Sequence, residues 1–98
     1  MQSQRKHELV ELHAMIHGEV QGVGFRATTR HFATQLGVKG TVRNCVDGSV
    51  EIIAQGSREQ VDTLLYRLKH YPGLGNIAEI KTEYRSPRAL IDSFQIIL

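Results

Sequence analysis

The chain is poor in the features that would assign it at a glance. It has one cysteine, Cys45, which excludes an intramolecular disulfide framework and a cysteine-rich zinc site and fits a reducing compartment. No stretch approaches the roughly twenty apolar residues that a membrane-crossing helix needs. Residues 1–8, Met1 to Glu8, are polar and basic without the apolar centre of a signal peptide, so they read as a mobile tail and the protein is expected in the cytoplasm. Charge of one sign is not in excess. A formal net charge of +2 gives little grip on a long polyanion and favours a small anionic ligand. Repeats and low-complexity tracts are also absent. With 41% apolar and 22% charged residues, the composition excludes disordered and fibrous classes. A chain of 98 residues can fill one core, so residues 9–98 are expected to form a single domain.

Apolar periodicity orders that domain. Val10, Leu12, Ala14 and Ile16 alternate with Glu11, His13 and His17, the pattern of a half-buried strand over Leu9 to His17. Gly18, Gly22 and Gly24 then mark a tight loop. Phe25, Thr29, Phe32, Ala33 and Leu36 share one helical face, and Gly37 stands where a left-handed cap residue belongs, which predicts a helix over Phe25 to Leu36. Two β-rich runs, Thr41 to Val46 and Ser49 to Ala54, flank Asp47-Gly48 and predict a hairpin. Ser57 and Gln60 have the spacing of a capping box ahead of a second helix with Val61, Leu64, Leu65 and Leu68 on its apolar stripe, ending near Tyr71 to Gly73. Ile77 to Tyr84 reads as a strand, Ser86-Pro87 breaks it, and Phe94, Ile96 and Leu98 alternate in a last one.

This order predicts an α+β fold: a ferredoxin-like split β-α-β sandwich, with a mostly antiparallel sheet of four to five strands and two helices on one face. On that arrangement Val10, Leu12, Ala14 and Ile16 face the helices, while His13 and His17 face solvent. Fold alone leaves function open.

The chemistry is expected where Gly18-Glu19-Val20-Gln21-Gly22-Val23-Gly24-Phe25-Arg26 joins a strand end to a helix start. Unpaired N–H groups and the helix dipole favour an anion there. Glycine spacing by itself favours a tight turn with no ligand. Arg26 shifts the balance, because a fixed positive charge in the first helical turn opposes the dipole at a cost of a few tenths of a kcal/mol, about what a bound anion would offset. Its planar fork also matches two phosphate oxygens at once.

The same string closely resembles the phosphate-binding loop of the acylphosphatase family, usually written as glycine, any residue, Val-Gln-Gly-Val, any residue, Phe-Arg. A second block resembles the family in the correct order: Leu36-Gly37-Val38-Lys39-Gly40-Thr41-Val42-Arg43-Asn44, followed by Asp47-Gly48-Ser49-Val50-Glu51. The resemblance implies a metal-free, cofactor-free hydrolase that cleaves the carboxyl-phosphate bond of acyl phosphates to a carboxylate and inorganic phosphate. It implies that Arg26 binds the phosphoryl group with the loop amides of Glu19, Val20, Gln21, Gly22 and Val23. It implies too that Asn44 positions the attacking water, making Arg26 and Asn44 the catalytic pair. A lone asparagine near a turn would otherwise be read as satisfying backbone groups. Thr41 and Cys45 depart from the family, which often has an aromatic residue and a threonine there.

Other readings are weaker. His13 and His17 have the four-residue spacing of a helical zinc site, but on a strand that spacing separates their backbones by about 13 Å, too far for one ion. Cys45 as nucleophile would need an adjacent base or positive group, and a half-buried strand cysteine is the simpler expectation. An ATP-binding loop would place lysine and then serine or threonine after the last glycine, where Phe25-Arg26 stands. An RNA-binding module of similar fold would stack bases on aromatics of its central strands, which carry none. The hydrogenase-maturation carbamoyltransferases begin with a similar domain, but the zinc-binding and transferase regions expected to follow are not in this sequence. The remaining rival is a non-catalytic module that binds phosphate or a partner. The favoured expectation is a monomeric enzyme on a small acyl phosphate, without nucleic-acid or membrane partners.

Overall fold

The computed structural model describes residues 8–98, so of the expected tail over residues 1–8 all but Glu8 lies outside the described residues. Seven elements follow in order: β1 (Val10–Glu19), α1 (Phe25–Leu36), β2 (Lys39–Asn44), β3 (Val50–Gly56), α2 (Arg58–His70), β4 (Asn76–Arg85) and β5 (Phe94–Ile96). They form one sheet in the order β4-β1-β3-β2-β5. All neighbours are antiparallel except β2 and β5, which run parallel. This is the expected α+β sandwich.

The period-two pattern sets its two faces. Leu12, Ala14 and Ile16 of β1, Val42 of β2, and Val50, Ile52 and Ala54 of β3 are buried together with the helices. Helix α1 contributes Phe25, Thr29 and Ala33, and α2 contributes Val61, Leu64, Leu65 and Leu68. Each fully buried Leu or Ile stabilises the fold by about 1.5–3 kcal/mol. Buried Thr29 donates its hydroxyl to Phe25 O at 2.8 Å, so its polar atom is satisfied inside α1.

The helix ends are closed by the residues the spacing singled out. Gly37 caps α1 in the left-handed conformation, with its N–H and that of Val38 turned back to Thr34 O and Ala33 O. At the start of α2, Ser57 Oγ accepts from Gln60 N–H and Gln60 Oε1 accepts from Ser57 N–H, a complete capping box. Gln60 also donates through Nε2 to Leu36 O at 2.8 Å, tying the end of α1 to the beginning of α2.

The sheet face away from the helices carries a polar layer that alternation does not reveal. Glu51 accepts from Arg43 Nε at 2.6 Å and lies 2.8 Å from His13 Nε2. His13 is therefore half-buried in an ionic cluster rather than turned freely to solvent, and His17 is also half-buried. Strand β4 lies at one edge and β5 at the other, so their connection must cross this face. Gln55 holds it there: its Nε2 donates to Glu11 Oε1 and Ala89 O, and its Oε1 accepts from Ile91 N–H.

Strand limits differ from the sequence reading at several ends. Strand β1 runs on to Glu19 through a register irregularity at His17/Gly18. The last strand stops at Ile96, short of the expected Leu98. In the hairpin, β2 ends at Asn44 and β3 starts at Val50. Cys45 N–H donates to Ser49 O and Gly48 N–H to Cys45 O, the pattern of a three-residue loop rather than a two-residue Asp-Gly turn. Asp47 draws this about by accepting from both the N–H and the hydroxyl of Ser49. Cys45 thus sits in the turn, half-buried, and not in the strand.

Candidate active site

Strands β1 and β2 are both antiparallel to β3, so they run parallel to each other and end at the same edge of the domain. The register is specific: Ile16 and Asn44 are both paired with Val50, one from each side. The chain leaving β1 and the chain leaving β2 therefore emerge side by side. Asn44 follows Val42 by two residues and so shares its helix-facing side of the sheet.

Between β1 and α1 the chain makes its turn on glycines. Gly22 and Gly24 have φ of 78° and 82°, with open space where a Cβ would stand. Backbone conformation, not crowding, is what selects glycine at both. Gly24 is the N-cap of α1 and offers no side chain to cap it. The first helical bond runs from Thr28 N–H to Gly24 O. The N–H groups of Phe25, Arg26 and Ala27 precede that ladder, and the first turn contains no acidic residue.

A cleft of about 180 Å³ opens at this point, lined by Val20, Gly22, Gly24, Phe25, Arg26, Ala27, Asn44 and Ile96. Arg26 is the second residue of α1 and Asn44 the last of β2. Both are half-buried, and among the described residues neither side chain has a hydrogen-bond or ion-pair partner. Other arginines in the fold, Arg43, Arg58 and Arg85, are held by carboxylates. Arg26 and Asn44 are polar groups left available on one concave surface, beside backbone N–H groups and an apolar wall.

The other loop residues named from the sequence are placed differently. Val20 is fully buried and lines the cleft, while Val23 is exposed. Glu19 is still within β1, paired with Asn76 of β4, and its side chain is exposed. Gln21 does not line the cleft; its side chain donates from Nε2 to Cys45 O and Ser49 O, each at 2.9 Å. Sequence reasoning did not reach Ile96 or Ala27 as lining residues. Ile96 arrives from the far end of the chain through the parallel pairing of β5 with β2, a contact without a local signal.

Two buried or half-buried carboxylates, Glu51 and Glu11, are held on the opposite sheet face. Burial acts to raise the Glu51 carboxyl, but hydrogen bonds from Arg43 and His13 outweigh it and hold the group below the usual carboxylate range. Glu11 behaves alike, with burial opposed by Gln55 and Arg85. His13 and His17 both point to this face, away from the cleft.

Comparison with known proteins agrees with the sequence motifs. The family model described as Acylphosphatase matches residues 12–96. An acylphosphatase of Paraburkholderia xenovorans is 45% identical over 80 residues, 82% of each chain. One of Treponema denticola is 41% identical over 87 residues, covering 89% of this chain and 93% of its own. Among solved structures, the crystal structure of acylphosphatase from Bacillus subtilis superposes with a TM-score of 0.82 at 27% identity, covering 91% of this chain and 99% of that one. With the match spanning nearly the whole described domain and the strand order, the glycine-loop motif and the Asn44 block all in place, this chain belongs to the acylphosphatase family.

Proposed function

We propose that this protein is an acylphosphatase in activity as well as family, hydrolysing the carboxyl-phosphate bond of acyl phosphates to a carboxylate and inorganic phosphate. The observation that carries the reading is the meeting of Arg26 and Asn44, both without protein partners among the described residues, on one cleft at the N-terminus of α1. In this reading the phosphoryl group is gripped by the Arg26 guanidinium and the loop amides from Glu19 to Val23. Asn44 holds a water in line with phosphorus.

Each role suits the reaction. The leaving group is a carboxylate, already stable as an anion at neutral pH, so no protein acid need protonate it. The transition state is loose and carries its charge on peripheral oxygens, where a fixed guanidinium and aimed N–H donors stabilise it. Asn44 is neutral: it orients water through its amide, and the water proton passes to a phosphoryl oxygen of the substrate. The P–O bond to the acyl group breaks as the bond from water oxygen to phosphorus forms. Nothing in this sequence of events calls for a metal ion or cofactor. The same reading takes the protein as a cytoplasmic monomer acting on a small molecule, with neither nucleic acid nor membrane as partner.

Spectrophotometric hydrolysis of benzoyl phosphate, with and without a chelator, tests the proposal. Chelator-insensitive turnover is the expected result. An inert protein whose melting temperature nevertheless rises with inorganic phosphate would be a binding module instead.

A further inference from the structure

Gln21 occupies the middle of the loop that the proposed function assigns to phosphate, between Val20 and Gly22, which both line the cleft. Its side chain, however, reaches to the other catalytic segment. Both amide N–H groups are used, one on Cys45 O and one on Ser49 O, each at 2.9 Å. Cys45 directly follows Asn44, and Ser49 faces Cys45 across the neck of the turn through the Cys45 N–H to Ser49 O bond. Among the described residues these are the hydrogen bonds that join the 20–24 loop to the 45–49 turn.

We propose that Gln21 is a positioning residue: it locks the phosphate loop to the turn behind Asn44 and so fixes the distance between the held phosphoryl group and the held water. The inference rests on the proposed acylphosphatase activity. The physical case is geometric. A primary amide carries two N–H donors on one nitrogen, and the two carbonyls that receive them belong to Cys45 and Ser49, which are bonded to each other where the turn follows β2. Neither carbonyl depends on Gln21 alone, since Cys45 O also accepts from Gly48 N–H and Ser49 O from Cys45 N–H. Removing the Gln21 donors therefore leaves the turn closed and releases only its attachment to the phosphate loop. In-line attack is sensitive to such a release, because a displacement of about 1 Å can cost about a hundredfold in rate.

The test is a double-mutant cycle on benzoyl phosphate hydrolysis, using Gln21→Met, which keeps the length and apolar stem of the side chain and removes both donors. In the wild-type background kcat should fall by about 10- to 100-fold, with inhibition by inorganic phosphate little changed. In the Asn44→Ala background the same substitution should cost almost nothing more, because the group it positions is gone. Gln21→Glu adds a second readout that a merely structural role would not give. Its carboxylate faces two carbonyl oxygens, so activity should be low at neutral pH and recover as the pH falls and the protonated acid donates one bond.

Equal losses in both backgrounds, or a loss confined to phosphate affinity, would overturn the positioning role while leaving the enzyme assignment standing. A wild type without turnover would overturn the assignment itself, and this inference with it. If Gln21→Met melts far below wild type, the cycle is run with Gln21→Glu, and a flat pH profile there counts against the proposal.

Discussion

Arg26 and Asn44 face one cleft because α1 begins where β1 ends and β1 runs parallel to β2 across the intervening β3. The helix supplies the cation and the strand the neutral amide, so two groups of different chemistry are set by two independent elements. The roles proposed for them should separate accordingly in variants.

Arg26→Ala should raise KM for benzoyl phosphate and the inhibition constant for phosphate, and should lower kcat as well, since the guanidinium is proposed to serve ground state and transition state alike. Arg26→Lys keeps the charge but not the two-pronged grip, and should recover only part of the loss. Steady-state kinetics with phosphate as competitive inhibitor reads both. Full activity in Arg26→Lys would show that charge alone suffices.

Hydrolysis in oxygen-18 water distinguishes attack at phosphorus from attack at the acyl carbon. The water Asn44 is proposed to hold attacks phosphorus, so the label should appear in inorganic phosphate. Label in benzoate would move the nucleophile to the other side of the bond.

Glu51 makes part of the fold's stability depend on acid pH. Its carboxyl is held low in the folded protein by Arg43 and His13 in spite of burial. Its contribution is therefore fully present above the unfolded value of about 4.3 and is lost as pH falls through the lower folded value. Glu51→Gln should be less stable than wild type at neutral pH, and the gap should narrow on acidification. Urea midpoints measured between neutral and acid pH check this, and a gap that stayed constant would argue that the ion cluster carries no linked stability.

Much of this architecture is readable from local pattern. Leu12, Ala14 and Ile16 alternate because they line one sheet face, and the Ser57 and Gln60 box is a local exchange of two hydrogen bonds. Asp47-Gly48 marks the place of the turn but not its width. That width depends on Asp47 reaching Ser49, which competes with the two-residue turn. The cross-sheet connection held by Gln55, the cluster of His13, Glu51 and Arg43, and the reach of Gln21 to Cys45 are all contacts between distant segments. A polar residue at an alternating position signals a solvent face by default, and only the fold shows which of these faces is covered.

The second helix offers a stability comparison. Ser57→Ala removes one cap bond and should cost about 1 kcal/mol. Gln60→Ala removes its half of the box and the bond to Leu36 O as well, so it should cost more than Ser57→Ala in urea denaturation. The reverse order would mean that the link between the helices contributes nothing.

The central claim is that Asn44 acts on the water and Arg26 on the phosphoryl group. The most direct measurement is kcat for Asn44→Ala alongside its affinity for inorganic phosphate. A fall in kcat of about a hundredfold or more, with phosphate binding unchanged, is the result this account predicts. Turnover at the wild-type rate, or a loss that appears in phosphate affinity instead, would contradict it.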